Sequence, residues 1–211
     1  MEQRIEYIIN EVKPTDSILD VGCVNHDLHS VSKGNWLHGY LCNISSNVLG
    51  IDIEEDAIKE MKVKGYNVLV TDCEKLDLGH TFDIIIAGEV IEHLSNPGLF
   101  LEGVKKHLNP MGKFILSVPN VYCYYNILSA IFRSKVPVHE QHACWYDKTT
   151  IKQLVKRYGF EIFRFEYLPI PSTGRGRLLS LLLYKLGFRE LSACGFLIVC
   201  KNNSDAIFRS Y

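Results

Sequence analysis

The chain has 211 residues, of which 47% are hydrophobic and 22% are charged, and its formal net charge is −1. These values are ordinary for a globular protein and exclude a wholly disordered chain; the length suffices for a single domain over residues 1–211 with its own core. The seven cysteines, an odd number with no C-x-x-C spacing, argue against a disulfide framework and against a zinc knuckle.

The predicted elements alternate between strands and helices. In chain order they are a helix over 2–12, a strand over 17–21, a helical piece over 35–41, a strand over 48–51, a helix over 55–64, strands over 67–70 and 82–87, a helix from Asn96, a strand over 113–118, a helix from Asp147, and strands over 160–167 and 196–200. Strands connected through helices form parallel sheets. The pattern therefore predicts an α/β fold with a mostly parallel sheet and helices on both faces.

Local signals support individual elements of this assignment. The run Ile84–Ile86 lies in a continuous apolar segment, which is typical of a parallel strand buried on both faces. Asn96 followed by Pro97 predicts a helix start, with asparagine as the N-cap and proline at the first helical position. Asp147 is the corresponding capping residue of a later helix.

Two strand ends indicate a ligand at the edge of the sheet. The segment 17–22 is an apolar run that breaks at Gly22, and the segment 48–52 ends on Asp52 just before a helix signal. A strand, a tight turn, a crossover and a second strand ending in a carboxylate can hold a nucleoside, because the carboxylate accepts from the ribose hydroxyls. No G-x-G-x-x-G follows Gly22. The pattern therefore favours a nucleoside without a pyrophosphate.

Five segments in order carry a family resemblance. They are Ile-Leu-Asp-Val-Gly-Cys (18–23), Val-Leu-Gly-Ile-Asp-Ile (48–53), Val-Thr-Asp-Cys-Glu (70–74), Phe-Asp-Ile-Ile-Ile-Ala-Gly-Glu-Val-Ile-Glu-His-Leu-Ser-Asn-Pro (82–97) and Leu-Asn-Pro-Met-Gly-Lys-Phe (108–114). Together they resemble the class I S-adenosylmethionine-dependent methyltransferases of the small UbiG-like type. The resemblance implies a Rossmann-like doubly wound sheet of about seven strands, one of them antiparallel near the C-terminus.

The resemblance also implies S-adenosylmethionine as the cofactor. Asp52 would accept from both ribose hydroxyls, and Asp72 would contact the adenine amino group. The implied cofactor-binding residues are Asp20, Gly22, Cys23, Asp52, Ile53, Asp72, Cys73, Gly88 and Glu89. Family members commonly have further glycines where Val24 and His26 stand, so this turn departs from the usual pattern at the methionine end of the cofactor.

Transfer of a methyl group to a hydroxyl benefits from a base. His142 and His93 are the candidates, with His139 ranked behind them; relatives place a histidine or an aromatic residue near position 142, at the acceptor pocket. We expect segments 120–146 and 170–190 to cover the acceptor. The candidate substrate-contacting residues are Tyr124, Trp145 and Arg175.

A metal ion is a separate question. Glu89, Glu92 and His93 resemble a Glu-x-x-Glu-His pattern that holds a divalent ion in some related O-methyltransferases, and on a helix these three positions share one face. Magnesium prefers oxygen ligands, however, and the sequence offers no third carboxylate nearby. The expectation from the sequence is therefore that no metal is used.

The expected activity is methyl transfer to an acceptor hydroxyl of a sugar, a glycolipid or a small metabolite. Three alternatives remain open: an RNA 2′-O-methyltransferase, a nicotinamide-dependent oxidoreductase, and a non-catalytic cofactor-binding protein. No tyrosine has a lysine four residues later, which argues against the oxidoreductase. The acidic first part of the chain argues against an RNA partner, and no DNA partner is expected.

Charge is unevenly distributed along the chain. Residues 151–211 hold ten Lys or Arg and four Asp or Glu, so their net charge is +6 and that of residues 1–150 is −7. The basic end would suit an anionic acceptor or peripheral contact with a membrane surface. The first residues do not form a signal peptide pattern, and no apolar run is long enough to span a bilayer. We therefore expect a cytoplasmic protein, whose oligomeric state the sequence leaves open.

Overall fold

The computed structural model describes residues 3–24, 36–169 and 175–202, without the side chains of residues 175–177. The helices are α1 Gln3–Ile9, α2 Leu37–Ile44, α3 Glu55–Val63, α4 Pro97–His107, α5 Tyr124–Arg133, α6 Lys148–Arg157, α7 Arg175–Lys185 and α8 Arg189–Ser192. The strands are β1 Ile18–Val21, β2 Val48–Asp52, β3 Val68–Val70, β4 Phe82–Gly88, β5 Leu108–Pro119, β6 Phe160–Pro169 and β7 Ala193–Asn202.

All seven strands belong to one sheet, in the order β3-β2-β1-β4-β5-β7-β6. The first five strands in chain order pair in parallel, and β7 runs antiparallel to both β5 and β6. The strand order reverses direction beside β1, which is where open α/β sheets bind their ligands. The predicted Rossmann-like sheet with one antiparallel strand near the C-terminus is therefore confirmed.

The sheet is buried on both faces. One cluster of buried side chains lies around Phe100 and Phe114, and a second lies around Ile8 and Ile86 on α1 and β4. Neighbouring residues of β4, such as Ile85 and Ile86, belong to opposite clusters because successive strand side chains point to opposite faces. This explains the continuous apolar run of β4.

The predicted helix caps are present. The Asn96 side chain accepts a hydrogen bond from the Leu99 amide at 3.1 Å, with Pro97 as the first helical residue. Asp147 accepts from the amide of Thr150 at 3.0 Å, and the Thr150 hydroxyl accepts in return from the Asp147 amide, which completes a capping box.

Some boundaries differ from those expected from the sequence. Helix α1 ends at Ile9 rather than Val12, where single turn-type hydrogen bonds replace the helical ladder ahead of Pro14. Strand β7 begins at Ala193, ahead of its apolar run, because antiparallel pairing with β5 and β6 extends it. Helix α5 was not predicted.

Of the helices in the described ranges, none combines the length and apolarity that a bilayer crossing requires.

Candidate active site

The ends of β1, β2 and β4 lie side by side at one edge of the sheet. Val21 is paired with Ile51 on one side and with Ala87 on the other. The residues that follow these positions, Gly22, Asp52 and Gly88, are therefore neighbours in space. The three strand ends expected to bind the cofactor are brought together by the parallel pairing alone.

Gly22 forms a tight turn at this edge. Its φ is +73°, and a β-carbon placed on it would lie 2.7 Å from Cγ2 of Val90. The Gly22 and Cys23 amides both donate to the Ile51 carbonyl oxygen, at 2.9 and 3.2 Å. The turn thus needs glycine both for its backbone conformation and for the close approach of the segment after β4.

Asp52 ends β2 and holds the loop beside it. Its Oδ2 accepts from the Val24 amide at 3.0 Å, and its Oδ1 accepts from the Glu54 amide at 3.1 Å. The next side chain, Ile53, is 66% exposed. A fixed carboxylate next to an uncovered apolar side chain is the arrangement that a ribose and its attached base require, so these residues fit the predicted cofactor.

Asp72 follows β3 at the same edge. Its Oδ1 accepts from the Glu74 amide at 2.9 Å, and its Oδ2 lies 3.1 Å from the Lys75 ammonium nitrogen. Asp72 thereby begins a short 3-10 turn over Cys73–Lys75. Burial raises the pKa of the Cys73 thiol to about 12, so this thiol stays protonated and unreactive at neutral pH. Cys73 would therefore contribute through its backbone and the shape of its side chain rather than through thiol chemistry.

Glu89, directly after β4, has a strained backbone. Its φ is +58°, a conformation that non-glycine residues seldom adopt. Its carboxylate Oε2 lies 3.3 Å from Nη1 of Arg4, and a β-carbon on Gly88 would also lie 3.3 Å from that nitrogen. An arginine from α1 therefore borders the site. The sequence did not single out Arg4, because α1 lies outside all five motifs.

Asp20 is 2% exposed and forms a buried pair with His38 of α2. The Asp20 Oδ2 and His38 Nδ1 atoms are 2.9 Å apart. Burial is the largest single influence and disfavours the imidazolium, but the hydrogen bonds and charge interactions with Asp20 and Cys42 together outweigh it and raise the pKa of His38 to about 9. The pair fixes the first strand end against α2. His38 was also not predicted, since a lone histidine in a helical segment gives no signal.

A pocket opens beside this edge, in the region expected to receive the acceptor. Most of its lining belongs to the predicted acceptor segment 120–146. The lining residues are Glu92, Pro119, Asn120, Val121, Asn126, Pro137, Val138, His139, His142, Cys144, Trp145 and Tyr146. Trp145 and His142 both lie on the wall of this one pocket.

Glu92 connects the cofactor edge with this pocket. The residue is 2% exposed, and neither carboxylate oxygen has a hydrogen-bond partner among the described residues. Burial raises the pKa of the Glu92 carboxyl to about 8. A buried carboxyl of this kind on a pocket wall is a candidate for proton exchange with a ligand. The sequence had suggested Glu92 as a possible metal ligand or as a residue that stabilises the local turn with His93.

Three histidines meet beside the pocket, and two of them, His139 and His142, line it. The ring centroids of His93 and His142 are 4.7 Å apart, and those of His139 and His142 are 5.5 Å apart. One ring nitrogen from each of the three lies within 4.8 Å of the other two. The expectation that Glu89, Glu92 and His93 share one helix face is wrong, because only Ile91–His93 form a 3-10 turn and Glu89 lies outside it with a positive φ.

The other residues predicted for the site are not among the described residues that line the pocket. Tyr124 is the first residue of α5, and burial raises the pKa of its phenol. Arg175 begins α7, and its side chain lies outside the described residues, as do His26 and segment 170–174. The second acceptor segment does reach the pocket wall, since Nδ2 of Asn120 donates to the Glu190 carbonyl oxygen at 2.7 Å.

Comparison with known proteins gives the family. Residues 1–164 match the family model described as "Methyltransferase domain". A ubiquinone biosynthesis O-methyltransferase of Rickettsia typhi is 31% identical over 129 residues, covering 56% of this chain and 49% of that protein. A (S)-coclaurine N-methyltransferase of Papaver somniferum is 28% identical over 102 residues, covering 48% of this chain and 29% of that protein.

Solved structures share the fold. An S-adenosylmethionine-dependent methyltransferase from Clostridium acetobutylicum has a TM-score of 0.64 at 14% identity, covering 97% of this chain and 93% of its own. An N1-methyltransferase from Burkholderia thailandensis, solved with 1,6-didemethyltoxoflavin and S-adenosylhomocysteine, has a TM-score of 0.64 at 14% identity, covering 96% and 77%.

The chain spans about half the length of the curated relatives it matches. The family model nevertheless covers most of the chain. The chain therefore belongs to the class I methyltransferase domain family, whose cofactor is S-adenosylmethionine.

Proposed function

We propose that the protein transfers the methyl group of S-adenosylmethionine to a hydroxyl of a small-molecule acceptor. The observation that carries the proposal is the position of Glu92. It lines the pocket, its carboxyl has no partner among the described residues, and it lies three residues after Glu89 at the cofactor edge. One short segment thus adjoins both the predicted cofactor site and the predicted acceptor site, as direct transfer between two ligands requires.

Cofactor binding is assigned to the residues at the strand ends. Asp52 would hold the ribose hydroxyls with Ile53 against the base, and Asp72 would face the adenine amino group with the Cys73 backbone alongside. Gly22 and the buried Asp20 would shape the turn at the methionine end, and Gly88 and Glu89 would adjoin the sulfonium. The chemistry that the cofactor supplies is an activated methyl group.

The protein's own contribution is then alignment, exclusion of water and acceptance of a proton. The hydroxyl of the acceptor loses its proton as its oxygen takes the methyl group. Groups of the pocket region suited to receive that proton are Glu92 in its ionised form, together with His142 and His93, which the sequence predicted. Trp145 would pack on the acceptor body, with Tyr124 and Arg175 as further contacts.

The acceptor class that we propose is a glycolipid or a sugar-bearing small molecule. Exposed apolar side chains on both acceptor segments support a ligand with a lipid portion and peripheral contact with a membrane. The largest exposed fractions are 78% for Phe132, 65% for Ile131 and 70% for Leu178. The matched O-methyltransferases of ubiquinone biosynthesis make a lipid-bearing phenol the second candidate acceptor. Seven free thiols support the cytoplasm as the compartment.

The test is cofactor turnover with defined acceptors. Purified protein is incubated with S-adenosylmethionine and, separately, with glycolipids, simple sugars, alkylated catechols and short RNAs, and formation of S-adenosylhomocysteine is measured. We expect turnover with a lipid-bearing hydroxyl and none with RNA. Binding of S-adenosylmethionine without turnover in any arm would favour the non-catalytic alternative, and turnover only with RNA would contradict the proposed acceptor class.

A further inference from the structure

We propose that His93, His139 and His142 form a binding site for a d-block divalent cation of the zinc type. This proposal replaces the metal-free expectation drawn from the sequence, which considered a magnesium or manganese site made of Glu89, Glu92 and His93 with a distant histidine such as His142. The three imidazoles come from two separate segments of the chain. His93 ends the 3-10 turn Ile91–His93, and the other two belong to the loop between α5 and α6.

The spacing of the imidazoles suits a metal. In a tetrahedral zinc site with bonds of about 2.0–2.1 Å, ligand nitrogens lie roughly 3.3 Å apart. The three ring nitrogens already lie within 4.8 Å of one another. Small side-chain rotations would therefore bring them to bonding distance of one ion. His139 is exposed and the other two are partly buried, so an ion could enter from solvent.

The backbone holds the two segments together. The amides of Ala143 and Cys144 both donate to the Glu92 carbonyl oxygen, at 2.8 and 3.0 Å. A further turn bond, from the His142 amide to the His139 carbonyl oxygen at 3.0 Å, fixes the loop between the two histidines. These bonds hold the two segments in place without any ion. The chain therefore loses less conformational entropy when an ion binds.

The ligand set selects the class of ion. Three neutral imidazoles are nitrogen ligands, which suit zinc, cobalt or nickel, whereas magnesium and calcium require oxygen ligands. Glu89 is outside the group and faces Arg4 instead. Three protein ligands leave a coordination position open, as in catalytic rather than structural zinc sites.

The open position would lie at the pocket, because His139 and His142 are part of its lining. Resting on the proposed function, the site would orient the hydroxyl of the acceptor, since a bound divalent ion coordinates hydroxyl oxygens and increases their acidity. With the ion bound, His93 and His142 are ligands and no longer candidate bases, which leaves Glu92 on the pocket wall to receive the proton. The claim of metal binding itself does not depend on methyl transfer and can be tested without either substrate.

The experiment measures binding of Zn²⁺ and Co²⁺ to the metal-stripped full chain by calorimetry, with the visible absorption of bound Co²⁺ as a second readout and Mg²⁺ as the comparison ion. We expect a stoichiometry of one and a tetrahedral Co²⁺ spectrum. His139→Ala, at an exposed loop position, should weaken binding by about 100-fold or more. His80→Ala, an exposed histidine outside the group, and Glu89→Gln should leave it unchanged.

Several results would overturn the proposal. Equal loss of Zn²⁺ affinity in the His139→Ala and His80→Ala variants would show nonspecific binding to surface histidines. Preference for Mg²⁺ with loss in Glu89→Gln would assign the ion to the carboxylates instead. Binding of S-adenosylmethionine is measured on the same samples. Its absence alongside specific Zn²⁺ binding would contradict the proposed function and leave the metal site intact.

Discussion

The Gly22 turn gives the sharpest prediction, because the chain contains its own control. A β-carbon at Gly22 meets two obstacles, a φ of +73° and Cγ2 of Val90 at 2.7 Å. Gly65, after α3, has a similar φ of +87°, but nothing lies within 4 Å of the position that a β-carbon would take there. Comparing alanine at the two positions therefore separates the backbone cost from the steric one.

The magnitudes follow from these contacts. Gly65→Ala should lower the free energy of unfolding by about 1–2 kcal/mol, the cost of an L-residue in the left-handed region. Gly22→Ala should lower it by that amount and by about 1–3 kcal/mol more, because the added methyl group overpacks against Val90. It should also weaken binding of S-adenosylmethionine, whereas Gly65→Ala should not.

The assay is urea unfolding of both variants together with calorimetry of cofactor binding. Two further proteins, Val90→Ala alone and Gly22→Ala with Val90→Ala, complete a double-mutant cycle. Removing Cγ2 of Val90 should recover the steric part of the loss and leave the backbone part. Equal destabilisation by Gly22→Ala and Gly65→Ala, or no coupling between positions 22 and 90, would refute the reasoning.

Three further predictions concern the two halves of the site. Asp52→Ala should weaken S-adenosylmethionine binding by about 2–4 kcal/mol through lost charge-assisted hydrogen bonds, whereas calorimetry of Asp56→Ala, at an exposed position in α3, should show no change. The stability that His38 gains from Asp20 should be fully present below about pH 6.5 and lost as pH rises through about 9, because folding raises the pKa of His38 to about 9. Urea unfolding should show that the difference in unfolding free energy between wild type and His38→Phe shrinks by about 2–3 kcal/mol between pH 6 and 9.5. A difference that stays constant with pH would contradict the pairing. Trp145→Ala should raise the KM for the acceptor while leaving cofactor affinity intact, and a parallel fall in both would assign Trp145 a structural role.

The sequence predicted the strands whose ends form the candidate cofactor site, for a physical reason. Parallel strands with apolar runs end at a common edge, so residues such as Asp52 and Asp72 can be placed from the strand assignment alone. The boundaries that differed, including the start of β7 at Ala193, depend on pairing with distant strands. Local residue patterns do not contain that information.

The acceptor half was predicted only in outline. Its segment and two of its residues, His142 and Trp145, do line a pocket. The approach of His139 to His93, the place of Glu92 on the pocket wall and the pairing of His38 with Asp20 all arise from tertiary contacts between segments distant in the chain. No spacing rule within one segment could have indicated them.

The pocket wall comes almost entirely from one stretch of the chain, and this has a consequence for how the acceptor specificity of such a protein can evolve. Among the residues that the structure describes, every lining residue except Glu92 lies in one uninterrupted stretch from Pro119, the last residue of β5, to Tyr146. The strand-end residues at positions 20–22, 52 and 72 lie outside that stretch. A single insertion, deletion or exchange of this stretch could therefore give the domain a new acceptor while its donor chemistry stays the same. The same boundary is the natural place for an engineer to graft a pocket from a relative.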